Sequence, residues 1–127
     1  MESRALQALD GVKKAISLPK FEKLSIRLEA DGTPHLINNH KIDGKGYLQS
    51  LKDGGAKDPF PAWMSEKQIM KTVKEAYGNS KKLGIQNFKT GRVLTLEGNA
   101  NGMRIRIHLH LDLKQIESAY PITGGVK

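Results

Sequence analysis

Met103-Arg104-Ile105-Arg106-Ile107-His108-Leu109-His110-Leu111 alternates without a break between apolar and basic residues. Successive side chains of a β-strand point to opposite faces, so this run buries one face and offers two guanidiniums and two imidazoles on the other. Arginine grips phosphate with a rigid fork of donors, and histidine trades protons near neutral pH. The pattern points to a nucleic-acid surface, with a solvated outer face as the competing reading.

Working outward, Arg92 to Glu97 and Gln115 to Tyr120 read as flanking strands. Short Gly/Asn and Asp/Lys connections predict an antiparallel meander. Upstream, Ser65 with Gln68 three residues later is a capping-box signal, and Ile69, Met70, Val73, Ala76 and Tyr77 fall on one helical face behind it. Between helix and sheet, Asn79 to Lys89 reads as a basic loop. Pro59-Phe60-Pro61-Ala62-Trp63 reads as a rigid connector with its aromatics, Trp63 included, on the core. His35 to Lys57 is polar and weakly periodic, with one helical turn through Leu36, Ile37 and His40. Leu24, Ile26 and Leu28 suggest a short strand, and Ala5, Leu6, Leu9, Val12 and Ile16 a first helix ended by Pro19. The expected fold is α+β, with N-terminal helices packed on a C-terminal antiparallel sheet. The middle helix should cover Ile105, Ile107 and Leu109, leaving Arg104, Arg106 and His108 to line a cleft or face solvent.

At 127 residues the chain is expected to be one domain, 1–127. Lysine and arginine outnumber aspartate and glutamate by 21 to 13, a net charge of +8 that favours an anionic partner. The absence of cysteine excludes disulfides, thiolate metal sites and a cysteine nucleophile. No apolar run approaches the roughly 20 residues of a membrane span, and no apolar signal region follows Met1-Glu2-Ser3-Arg4. Nothing in the sequence demands more than a monomer.

His35 and His40 form a second cluster, but a spacing of five does not match a zinc-binding His-Glu-x-x-His helix. No metal or other cofactor is expected. Metal-free RNA cleavage suits these residue types better. A base takes the ribose 2′-OH proton, an acid protonates the departing 5′-oxygen, and a fixed cation faces the charge on phosphorus. Lys45, Lys52 and Lys57 could supply that cation, or could serve solubility alone. In Ile116-Glu117-Ser118-Ala119-Tyr120-Pro121, Ile116, Ser118 and Tyr120 are expected on one strand face. There Ser118 would orient a phosphate and Tyr120 would stack on a base or bond the scissile phosphate.

Four strings, in order, resemble a known family. His35-Leu36-Ile37-Asn38-Asn39-His40 resembles the His-Ile-Leu-x-x-His opening of bacterial EndoU-type nuclease domains. Phe60-Pro61-Ala62-Trp63 with Ser65-Glu66-Lys67-Gln68-Ile69 is similar to that family's FP-x-W-S-x-E-x-I segment. Gly98-Asn99-Ala100-Asn101-Gly102-Met103-Arg104-Ile105 resembles its G-x-x-x-G-v-x-I hairpin, and Ile116 to Pro121 its closing I-x-[ST]-A-Y-P. Together they cover about residues 35–121.

The resemblance implies the barnase/EndoU/colicin/RelE-like group of nuclease folds. It also implies an endoribonuclease toxin domain, delivered as part of a larger secreted toxin of the contact-dependent inhibition kind. Such a domain acts in the target-cell cytoplasm and is neutralised by a cognate immunity protein. It implies catalytic roles for His35, His40, Lys57, Ser118 and Tyr120, leaving Arg104, Arg106, His108 and Lys45 as RNA-binding candidates. One departure matters: the family generally places a second catalytic histidine after a glycine-rich turn, followed by a lysine. Here Gly54-Gly55 leads into Ala56 and then Lys57. Either His40 or His108 fills that role, or Ala56 stands in place of the catalytic histidine and inactivates the enzyme, or the chain is a catalytically silent module that binds RNA or an acidic protein.

Overall fold

Asn101 and Gly102 both take positive φ, 52° and 74°. That two-residue turn matches the twist of the strands it joins. It fixes β3 (Gly91–Ala100) against β4 (Met103–His110) with Ala100 opposite Met103 and Val93 opposite His110. The computed structural model describes residues 17–54 and 58–122. Its remaining elements are a 3-10 turn (Phe21–Lys23), β1 (Ser25–Ile26), α1 (His35–His40), α2 (Lys45–Lys52), α3 (Glu66–Gly78), β2 (Lys81–Phe88) and β5 (Gln115–Pro121). The molecule is a small α+β domain whose helices precede most of its sheet.

The five strands are ordered β1-β5-β4-β3-β2. β5, β4 and β3 form the expected three-strand meander, and the sheet extends beyond it on both sides, by β1 and by β2. β1 joins parallel to β5, with Ser25 opposite Gln115 and Ile26 opposite Ile116, which makes the sheet mixed. The segment read as a basic loop is instead the edge strand β2. Its alternation is broken by a register shift between Lys82 and Gly84, and its lysines suit an unpaired edge.

Helix α3 starts on the capping box: Ser65 Oγ accepts from Gln68 N–H, and the Gln68 side chain accepts from Ser65 N–H. Ile69, Val73, Ala76 and Tyr77 bury against Leu94, Leu96, Ile105, Ile107 and Leu109, as the periodicity predicts. The helix comes very close at Gly98, where a Cβ would sit 1.9 Å from the Ala76 carbonyl oxygen. Asn79 clips it there, donating to Asn99 O at 2.8 Å and accepting from Asn99 N–H at 2.8 Å.

The polar stretch from His35 holds two short helices, α1 and α2, rather than one helical turn. Neither has a side-chain N-cap, which explains their weak signature. Leu36 and Ile37 anchor α1 in the core, and Phe60 follows them. Trp63 does not: it is 65% exposed. The sequence-predicted first helix, residues 5–16, lies outside the described residues. No described helix is long and apolar enough to cross a membrane.

Candidate functional site

A bulge in β5 decides which side chains share a face. His108 pairs with Ser118, but its neighbour Leu109 pairs with Ile116, so Glu117 is the extra residue. A bulge turns the following residues over. Ile116 therefore faces the core with Ala119, while Ser118 and Tyr120 face the side away from α3, opposite His108 and Arg106. This corrects the expectation that Ile116, Ser118 and Tyr120 share one face.

On that face, away from α3, three rings meet, with His40 buried at 8% exposed and His108 and Tyr120 half-buried. The His40 and Tyr120 ring centroids lie 4.9 Å apart, and those of Tyr120 and His108 5.6 Å apart. His108 Nε2 is 2.8 Å from the Tyr120 hydroxyl, and His108 Nδ1 is 3.3 Å from Thr95 Oγ1. Both partners are hydroxyls, which donate or accept as needed, so the proton on His108 can sit on either nitrogen.

His40 is held from below. Its backbone carbonyl accepts from Phe60 N–H at 2.7 Å, and its Nδ1–H donates to the Asp58 carbonyl at 3.0 Å. A carbonyl only accepts, so the neutral ring carries its proton on Nδ1 and its lone pair on Nε2. The Phe60 N–H thus helps fix the position of His40 and the Asp58 carbonyl its tautomer, on a segment anchored by the buried Phe60 side chain.

Charge completes the site. Glu97, opposite Arg106 in the register, accepts from Arg104 at 2.9 Å and from Arg106 at 3.0 Å. Burial works against the Glu97 carboxylate, but the two guanidiniums outweigh it and bring its pKa down. One carboxylate shared by two guanidiniums leaves the trio net positive, and Arg106 Nε is buried with no partner among the described residues. Burial, then the Arg106 charge, pushes the His108 pKa down, so its ring is neutral at pH 7. Burial raises the Tyr120 pKa, with Arg106 pulling the other way.

The other predicted residues do not join the cluster. His35 pairs through Nδ1 with Glu29, and its Nε2 accepts from Asn39 Nδ2 at 2.8 Å. His110 is 2% exposed, accepts from Leu113 N–H at Nδ1 and bonds Thr90 Oγ1 at Nε2. Lys45 is solvent-exposed and 4.0 Å from Asp31. Arg104 is bound to Glu97 at the outer end of the face. Ser118 lines a cleft of about 630 Å³ that opens beside His108. Lys57 and Ala56 lie outside the described residues. Among the described residues, no three His, Cys, Asp or Glu side chains are grouped to hold a metal ion.

Sequence reasoning missed Glu97, Thr95 and the Asp58 carbonyl. The first two were within reach: counting back from the Asn101-Gly102 turn places Glu97 opposite Arg106 and Thr95 opposite His108. The Asp58 contact had no signal, because it depends on how Phe60 seats. Comparisons with protein-family models, with curated proteins and with solved structures each find no match.

Proposed function

We propose that this chain is a metal-independent endoribonuclease domain of EndoU-like type, cleaving RNA by transesterification to a 2′,3′-cyclic phosphate. The observation that carries the reading is the run His40–Tyr120–His108 beside Arg106 on the basic sheet face away from α3. The reaction begins when His40 Nε2 takes the proton from the ribose 2′-OH, and the 2′-oxygen bonds to the adjacent phosphorus. Arg106 faces the charge that gathers on the non-bridging oxygens. The bond from phosphorus to the 5′-oxygen then breaks, and that oxygen takes the Tyr120 phenolic proton. An alkoxide is a far stronger base than a phenolate, even one whose pKa is raised by burial. Arg106 and His108 Nε2–H hold the phenolate until the proton collected by His40 returns through solvent, so the protonation state is restored.

His35, locked between Glu29 and Asn39, serves in this account as the joint between α1 and the turn before it. Arg104 and Lys45 remain peripheral phosphate contacts. The net charge of +8 suits both RNA and an acidic immunity protein, and delivery within a larger toxin belongs to the same proposal.

The test is incubation with an RNA and a DNA of the same sequence in EDTA. The account expects the RNA cut to 2′,3′-cyclic phosphate ends and the DNA untouched, because only RNA carries the attacking 2′-hydroxyl. RNA bound but left intact would overturn it in favour of a binding module.

A further inference from the structure

The cleft beside His108 lies across the strands, from Ser118 and Glu117 on β5 to Gln86 and Phe88 on β2. β5 and β2 are three strand spacings apart, about 14 Å. That is too long for one base and long enough for two successive nucleotides. Its 630 Å³ falls in the usual range for ligand sites. The two ends differ in chemistry. At the His108 end stands Glu117, the one carboxylate among the cleft's lining residues, held by Arg27 at 3.3 Å and by Gln115 at 3.0 Å. At the far end the Phe88 ring is 51% exposed, an apolar plane open to solvent.

We infer that this cleft is a base-selecting subsite: the base beside the scissile phosphate is guanine, read by Glu117, and the next base stacks on Phe88. The inference rests on the nuclease reading for its substrate. A carboxylate only accepts hydrogen bonds. Guanine alone among the four RNA bases presents two adjacent donors, N1–H and the exocyclic amino group, on its Watson–Crick edge. Cytosine and adenine each set a ring acceptor beside their amino group, and uracil flanks its one N–H with two carbonyls. Each of these turns a lone pair toward the carboxylate. Unstacked single-stranded bases expose that edge. An aromatic plane holds any neighbouring base by stacking, without reading it.

The experiment titrates the protein with the four nucleoside 3′-monophosphates, which it cannot cleave, and follows affinity and backbone amide shifts by NMR. Guanosine 3′-monophosphate is expected to bind about tenfold more tightly than the other three and to shift Glu117 and Ser118. Glu117→Gln should erase that preference while the other three affinities hold. Phe88→Ala, at an exposed position, should leave the mononucleotide ranking unchanged. It should weaken a guanine-containing single-stranded DNA hexamer about tenfold. Equal affinity for all four mononucleotides in the unaltered protein overturns the subsite, as does a guanine preference that survives Glu117→Gln. Cleavage is read separately. RNA cut equally at all four bases overturns the subsite and leaves the nuclease standing, while guanine-selective binding with RNA intact does the reverse.

Discussion

His35 and His110 commit both ring nitrogens to fixed structural partners, whereas His108 bonds only the Tyr120 and Thr95 hydroxyls and His40 lies against the Tyr120 ring with its Nδ1 pinned by a backbone carbonyl. That difference, more than spacing in the chain, separates structural from chemical histidines. It also gives a pH prediction. An unfolded imidazole titrates near 6.5, but burial and Arg106 hold folded His108 below that value. As pH falls through about 6.5, the unfolded chain takes up a proton that the folded chain refuses. His108 thus stabilises the fold fully above that pH and loses this contribution below it. Melting temperatures measured from pH 8 to pH 5 should fall toward acid, and His108→Gln should flatten that fall. An unchanged slope in the variant would mean that His108 titrates freely.

The elements carry a second prediction, at the seam between α3 and β3. A Cβ at position 98 would lie 1.9 Å from a backbone oxygen, and no side chain can move aside to relieve it. Gly98→Ala should therefore cost about 1–3 kcal/mol, the range for overpacked cores, in a urea unfolding curve. A stability equal to that of the parent would show that α3 slides freely over the sheet. Helix α3 and the hairpin were legible in the sequence because their caps and turns are local: Ser65, Gln68, Asn101 and Gly102 each name their geometry. β2 was not, since its bulge interrupts the alternation and its edge position tolerates two adjacent lysines, Lys81 and Lys82, before the break. The face of Ile116 was misread for a related reason. Period-two reasoning assumes an unbroken strand, and the bulge at Glu117 reverses the phase within it.

At the scale of the whole molecule, one sheet face carries α3 and the other carries the rings, the guanidiniums and the cleft. A basic alternating strand announced that division, and its register determined which charges are shared with Glu97. The site came from more distant parts: α1 supplies His40, the Asp58–Phe60 segment pins it, and β3, β4 and β5 supply the rest. Long-range seating of that kind leaves no mark on a single sequence. RNA affinity should fall steeply with salt as counterions are released. Lys89→Ala, which removes a cleft lysine, should reduce the log–log slope by about 0.7. An unchanged slope would place the RNA path elsewhere on the surface.

The central claim is that His40 and Tyr120 act as one catalytic unit, and a double-mutant cycle on RNA cleavage in EDTA tests it. His40→Asn keeps a donor for the Asp58 carbonyl, and Tyr120→Phe keeps the ring contact, so both variants should fold. The account predicts that each single change slows cleavage by about a hundredfold or more, and that the double variant is no slower than the worse single one. Losses that multiply, single variants that cut at the parent rate, or a parent chain that leaves RNA intact would contradict it.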